Sequence, residues 1–284
     1  MSSREHHFPF SQQPDLASWT EYFRRAVQDA NLPVLAQTSE ALEAMRLNED
    51  KVDANILGEV ISADPLMTLK VQAYAASHRS KRLLTDTETI TAALVMMGIS
   101  PFFREFGLQP TVEDHLVHQA EALMGLQEVI QRAHRAATFA LSFAVHRMDH
   151  DAAVIHQAAL LHDFTDMLLW CHAPNLALQM RHAQLADPLL RSSAVQEQML
   201  GVKLPELQHA LMLAWRLPDL LVRCADDSHA EHPSVKSVAL ATRIARHTAH
   251  GWDNAAVPDD VREIADLLGM SEAATLAWLI EVDS

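Results

Sequence analysis

The stretch SADPLMTLKVQAYAAS, residues 62–77, decides how this part of the chain folds, because Asp64-Pro65 interrupts one helical pattern and starts another. Apolar residues recur at helical spacing from Val52 to Ile61, just before the break. An aspartate side chain accepts hydrogen bonds from the free N–H groups of a first helical turn, and a proline suits the first position because it has no N–H to leave unpaired. The stretch therefore predicts two helices that meet at Asp64, with Asp64 as the N-cap of the second.

The same helical periodicity extends along most of the chain. The sequence has only 7 glycines in 284 residues, and no alternating run is long enough to predict a strand. Helices are predicted at residues 15–30, 39–45, 52–61, 65–77, 88–98, 112–148, 151–169, 174–186, 187–200, 206–215, 218–226, 234–250, 258–268 and 271–282. The stretch from Pro101 to Asp114 is the candidate linker, and Gly125 is a candidate break within a helix. The fold is predicted to be all-α, with short helices in two packed groups.

Composition and charge exclude several classes of function. The formal net charge of -15 repels a nucleic-acid backbone. The longest apolar runs, such as TAALVMMGI at residues 91–99, are far shorter than the roughly 20 residues of a membrane helix. No glycine-rich phosphate-binding motif occurs. Two distant cysteines, Cys171 and Cys224, and an N-terminus without a signal-peptide core favour a cytoplasmic location.

The C-terminal stretch VREIADLLGMSEAATLAWLI, residues 261–280, has the outline of a helix-turn-helix. Gly269 suits the turn, and Ser271 is predicted to cap the second helix. A DNA reader needs an excess of basic residues, whereas residues 258–284 contain Arg262 as the one basic residue against seven acidic ones. The segment is therefore interpreted as a pair of packing helices.

The stretch ALLHDFTDMLLW, residues 159–170, places His162 next to Asp163 inside an apolar, helix-like run. Adjacent histidine and aspartate side chains can be ligands of a catalytic metal. They can equally be buried polar groups that are satisfied by hydrogen bonds. No serine nucleophile elbow is present, and Cys171 beside His172 does not form a nucleophile–base pair, because neighbouring residues on a helix point in different directions.

The order of these motifs resembles the HDOD domain, a family related to the HD-type metal phosphohydrolases. In the first half, a leucine–proline start at Leu32-Pro33 precedes the stretch at residues 62–77, in which Ala76 replaces the usual asparagine. The matching positions of that stretch are Asp64, Pro65, Leu69, Ala75 and Ser77. In the second half, three further segments follow in the order of the family: AHRAATFALSFA (133–144), AALLHD (158–163) and GVKLPELQHALMLAWRLPDLL (201–221). The resemblance covers about Asn31 to His250.

The resemblance implies a division of the chain and a function. The polar residues 1–14 predict a flexible N-terminus. The resemblance implies an N-terminal helical lobe at 15–110 and an HD-like helical lobe with C-terminal helices at 111–284. It implies a regulatory module of bacterial signal transduction, without catalytic residues, that acts through protein or small-ligand binding. The alternative is an enzyme, a metal-dependent phosphohydrolase that cleaves a nucleotide or a cyclic dinucleotide.

The same resemblance supplies a candidate metal set. By this comparison, His134, His162 and Asp163 correspond to metal ligands of the HD-type hydrolases, and His229 is an optional fourth. Other ligand positions have changed. Thr242 stands in place of the distant aspartate, Leu204 and Ser228 stand where relatives often carry histidines, and Asp166 replaces a lysine.

The candidate metal set is consequently interpreted as an incomplete remnant, because a neutral hydroxyl is a poor substitute for a carboxylate on a divalent cation. We expect no cofactor, the alternative being a divalent Mn, Fe or Mg ion. The expected partner is an unidentified signalling protein, with neither nucleic acid nor a membrane as a partner. An oligomer is compatible with the sequence.

Overall fold

The computed structural model describes residues 14–28, 32–78, 88–187, 189–226 and 231–284, so residues 1–13 of the predicted flexible N-terminus lie outside the described residues. The helices are α1 (Leu16–Gln28), α2 (Ala36–Arg46), α3 (Ala54–Ser62), α4 (Pro65–Ser77), α5 (Ile90–Met97), α6 (Ile99–Glu105), α7 (Val112–His115), α8 (Ala120–His146), α9 (Ala152–Leu160), α10 (Phe164–His172), α11 (Pro174–Ala186), α12 (Ser192–Leu200), α13 (Leu204–Ala214), α14 (Asp219–Cys224), α15 (Pro233–His247), α16 (Val257–Leu268) and α17 (Glu272–Val282). Within these residues no β-strand forms, and an isolated parallel bridge joins Val34 to Thr111. The predicted all-α fold is confirmed.

The helices form two compact units, each assembled from separate stretches of the chain. The first unit draws on residues within 1–83, 90–129 and 163–217, and the second on residues within 84–89, 130–162 and 218–284. Helix α8 contributes its first part to the first unit and its remainder to the second. The predicted lobes, which follow sequence order on either side of residue 110, stay a prediction.

Helix α4 is the centre of the first unit. Asp64 caps it as predicted, accepting hydrogen bonds from the backbone N–H groups of Leu66 at 2.8 Å and Met67 at 3.1 Å. The nine residues from Pro65 to Ala73 are all buried, with α3, α5 and α10 packed against the helix. A helix covered on several sides carries apolar residues around its whole circumference, which explains the weak amphipathic pattern of this stretch.

Two buried charged groups fix loops of the first unit to α4. The second carboxylate oxygen of Asp64 accepts from the backbone N–H of Leu35 at 2.8 Å. The Lys70 ammonium donates to the carbonyl of Leu32 at 2.9 Å and to the side-chain carbonyl of Gln109. Burial lowers the pKa of Lys70 to about 8, against the attraction of the Asp64 carboxylate, and burial raises the pKa of Asp64. These hydrogen bonds offset part of the cost of removing the charges from water.

Gly125 does not break a helix, so that prediction is wrong. Helix α8 runs without interruption through 27 residues. A Cβ atom at Gly125 would lie 2.5 Å from the indole ring of Trp170, closer than two carbon atoms can approach. The glycine is therefore required for the packing of α10 against α8 in the first unit.

The second unit is built around α9 and α15. Helix α9 packs against α14 and α15, and α16 packs against α15 and α17. The C-terminal pair of helices is confirmed: Gly269 ends α16 with φ +66°, and the Ser271 hydroxyl accepts from the backbone N–H of Ala274 at 3.3 Å. The Arg135 guanidinium on α8 donates to both carboxylate oxygens of Asp283, at 2.7 and 2.8 Å, and holds the end of α17 in place.

Candidate functional site

His162 and Asp163 lie in a turn between α9 and α10, where a single helix at residues 151–169 was predicted. That prediction is wrong because the backbone changes its hydrogen-bonding pattern at the pair. The N–H of His162 donates to the carbonyl of Ala159 at 3.3 Å, a tighter spacing than an α-helix. The carbonyl of Asp163 then accepts from the N–H of Asp166 at 3.1 Å and begins α10. Both side chains of the pair are half-buried.

The Asp163 side chain does not serve as the N-terminal cap of α10. The residue occupies the N-cap position, but its carboxylate accepts no hydrogen bond from the first-turn N–H groups. This differs from Asp64, which holds two first-turn N–H groups of α4.

A second histidine of the second unit, His156, lies near the predicted ligand His134. His134 is on α8, His156 is on α9, and both are half-buried. Burial lowers the pKa of His156, and the charge that His134 acquires on protonation lowers it further. His156 was not among the predicted site residues, because the resemblance aligns ligands only at the positions of the HD pattern. A histidine inside the apolar run AAVIHQAALL, residues 152–161, was the available signal.

By the resemblance, Thr242 corresponds to the position where the HD pattern has its distant aspartate. It lies on α15 in the second unit, with 3% of its surface exposed. Its hydroxyl donates to the carbonyl of Val238, one turn earlier in the same helix, at 2.8 Å. The group is thus neutral, and its proton is used within its own helix. It supplies no negative charge to balance a divalent cation.

Two of the other altered positions, Leu204 and Asp166, take part in packing or lie in the first turn of a helix. Leu204 begins α13 and is buried; its N–H donates to the Gln196 side chain at 3.1 Å, and its carbonyl accepts from the Thr165 hydroxyl at 3.4 Å. Asp166 lies in the first turn of α10, where a negative charge is favoured by the helix dipole. Ser228 and His229 lie outside the described residues.

No group of three or more histidine, cysteine, aspartate or glutamate side chains within the described ranges is arranged to hold a metal ion. A hydrolytic metal centre needs about three protein ligands and an open position for water. The metal set of His134, His162, Asp163 and His229 therefore stays a prediction.

Both cysteines are buried and free. Burial raises the pKa of the Cys224 thiol to about 11, and burial also raises the pKa of Cys171. A nucleophilic cysteine must be a thiolate at the working pH. Neither thiol therefore meets the requirement for nucleophilic catalysis at neutral pH.

Comparison with known protein families places the chain in one of them. The model of the HDOD domain matches residues 32–231. This range includes the Asp64 cap, the His162-Asp163 pair and most of the stretch from Asn31 to His250 that the resemblance covers. The chain belongs to the HDOD domain family.

Solved structures share the fold at low sequence identity. One is the MmoQ response regulator of Methylococcus capsulatus str. Bath, at 17% identity over 87% of this chain and 97% of that chain, with a TM-score of 0.63. Another is a virulence factor of Campylobacter jejuni subsp. jejuni, at 19% identity over 91% of this chain and 92% of that chain, with a TM-score of 0.58. No curated protein matches the chain.

In the part of the chain that the structure describes, no helix has both the length and the apolar character needed to cross a membrane.

Proposed function

We propose that this HDOD protein is a non-catalytic regulatory module of cytoplasmic signal transduction, which acts by binding a protein or a small ligand. The observation that carries the proposal is Thr242. A buried hydroxyl that donates to its own helix stands at the position where the related hydrolases place a metal-binding carboxylate. Without that carboxylate, His162 and Asp163 lack the charge needed to fix a divalent cation and activate a water molecule.

The changes at Leu204 and Asp166 support the same proposal. Leu204 is buried among packed helices, so this position contributes to the core of the first unit. Asp166 places a carboxylate three residues beyond Asp163, where relatives carry a lysine that assists a phosphate. A negative side chain repels a phosphate group instead of neutralising it.

A metal-dependent phosphohydrolase is the second candidate. It is favoured by the retained His134, His162 and Asp163, and by His156, a further imidazole close to His134. Two imidazoles and a carboxylate are ligand types that Mn, Fe and Zn accept. This candidate requires a metal that binds without the distant carboxylate.

A turnover assay separates the two candidates. The purified chain is incubated with excess Mn²⁺ in three separate reactions, which contain p-nitrophenyl phosphate, bis-p-nitrophenyl phosphate or cyclic di-GMP as the substrate. The proposed function predicts rates equal to those of Mn²⁺ alone. The matched variant is Asp163→Ala, with Asp114→Ala, an exposed aspartate on α7, as the control. Turnover that disappears in Asp163→Ala and persists in Asp114→Ala would establish the enzyme instead.

A further inference from the structure

Helix α17 is apolar on two opposite faces, although only one of them is covered. Between Glu272 and Glu281 its sequence is AATLAWLI, without a charged residue. Thr275 and Leu279 are buried and face the remainder of the second unit. A helix at the surface of a globular protein normally has one apolar face toward the core and one polar face toward water. The absence of one on α17 therefore calls for a reason other than the packing of this chain.

The uncovered face consists of Ala273, Leu276, Ala277 and Ile280, which we call the outer stripe. Ala273 and Leu276 are three residues apart, as are Ala277 and Ile280. Each of the four also has a partner four residues away, Ala273 with Ala277 and Leu276 with Ile280, so all four lie on one side of the helix. All four are exposed, with Leu276 at 37% and Ile280 at 45% of their full surface. The two alanines are one turn apart, which lets another helix approach to the usual distance of about 8–10 Å.

The outer stripe is presented by a firmly held helix. The Ser271 cap and the Arg135–Asp283 ion pair fix its two ends. Trp278 is half-buried in the middle of the helix, with its ring centroid 6.0 Å from that of Phe143 and 5.8 Å from that of His146. A surface that is ordered before binding loses little conformational entropy when a partner arrives.

The charges beside the outer stripe indicate what kind of partner covers it. Helix α17 has acidic residues near both ends, Glu272 and Glu281, and no basic residue. The segment 258–284 has seven acidic residues against Arg262, and the whole chain has a net charge of -15. A second copy of this chain would bring like charges together, and in an antiparallel pair Glu272 would oppose Glu281. Such like-charge contacts oppose self-association.

We propose that the outer stripe is a docking surface for an amphipathic helix of a partner protein whose apolar face is bordered by lysine or arginine. The surface lies outside residues 32–231, which the HDOD model matches. The proposal therefore goes beyond the proposed function of the family domain and holds whether or not the His162 site binds a metal. Because α17 has 11 residues and is about 16 Å long, the contact is small, and the expected affinity is in the weak, transient class.

Fluorescence anisotropy with designed peptides tests the proposal. The probe is a labelled amphipathic peptide of about 18 leucine and lysine residues, long enough to cover α17. The first control peptide replaces every lysine by glutamate, and the second has the same composition in a scrambled order. Titrations contain EDTA, so that the result does not depend on a metal. The expected result is saturable binding of the leucine–lysine helix and no binding of the two controls.

Variants locate the bound peptide. The double change Leu276→Gln with Ile280→Gln alters no charge, and we expect it to weaken binding about tenfold or more because two apolar contacts are lost. The matched control is Leu185→Gln with Leu213→Gln, two exposed leucines of the first unit. The charge change Glu272→Lys with Glu281→Lys should weaken binding of the lysine peptide and strengthen that of the glutamate peptide. Circular dichroism checks that each variant retains its helix content.

Two results would overturn the proposal. Binding that is equally strong in the Leu276→Gln/Ile280→Gln variant and in the control variant would mean that the peptide binds elsewhere through charge alone. A concentration-dependent dimer in sedimentation experiments that is lost in the same stripe variant would mean that a second copy of this chain covers the stripe.

Discussion

Replacing Asp64 by alanine tests the buried cap that organises the first unit. The side chain is fully buried and accepts from three backbone N–H groups, those of Leu66, Met67 and Leu35. Asp64→Ala removes the acceptor for all three. The change therefore releases the start of α4 and the entry to α2 together.

The cost can be worked from these contacts. Loss of a helix N-cap costs about 1–2 kcal/mol. The Leu35 N–H additionally loses its partner in a buried setting, at about 1–3 kcal/mol. Burial raises the pKa of Asp64, so removing the charge returns part of this cost. We expect a net loss of about 2–4 kcal/mol in the free energy of unfolding, a large share of the roughly 5–15 kcal/mol of a typical domain.

Asp53 provides the matched control. It caps α3 and accepts from the N–H groups of Asn55 at 2.8 Å and Ile56 at 2.9 Å, as Asp64 does on α4, but it is exposed. Asp53→Ala should cost about 1 kcal/mol, the cap alone. Urea unfolding followed by circular dichroism measures both variants. Equal losses for Asp53→Ala and Asp64→Ala would refute the reasoning, because burial and the Leu35 contact would then contribute nothing.

Three further predictions concern packing, pH and the His-Asp pair. Gly125→Ala should lower the free energy of unfolding by about 1–3 kcal/mol in urea melts despite the better helix propensity of alanine, because the new Cβ meets Trp170 at 2.5 Å; a stabilised variant would contradict this. Burial lowers the pKa of Lys70 in the folded chain to about 8, whereas an unfolded lysine has a pKa of about 10.4. Between these two pH values the unfolded chain binds a proton that the folded chain has released, so the stability of wild type relative to Lys70→Met should rise with pH across this window. A difference that does not change with pH would contradict this prediction. His162→Ala with Asp163→Ala should cost less than the sum of the single changes by about 0.5 kcal/mol or more, since we expect two neighbouring half-buried polar groups in one turn to share their surroundings; additive losses would show that the two groups are independent.

The sequence was sufficient to predict the helices whose ends carry local chemical signals. Asp64-Pro65 predicted the start of α4, and Pro174 and Ser271 predicted the starts of α11 and α17. Each signal acts through a hydrogen bond or a φ angle within a few residues, so the sequence alone contains the information.

Features that depend on distant residues were not predicted. Gly125 was interpreted as a helix break because its actual role, making room for the ring of Trp170, depends on a tertiary contact that the sequence does not reveal. The hydrogen bond between Lys70 and Gln109 joins residues 39 positions apart. The turn at His162 was hidden because the apolar pattern continues on both sides of it. His156 likewise becomes a candidate site residue only because the fold brings it near His134, which is 22 positions earlier in the chain.

The content of bound metal tests the central claim most directly. The chain is purified without chelator, its Mn, Fe, Zn and Mg are measured by mass spectrometry, and thermal unfolding is followed with EDTA and after addition of Mn²⁺. Because Thr242 supplies a hydroxyl and not a carboxylate, we expect far less than one metal ion per chain and the same melting temperature in all conditions. One metal ion per chain, with a melting temperature that falls in EDTA, recovers with Mn²⁺ and becomes insensitive to EDTA in Asp163→Ala, would contradict the account.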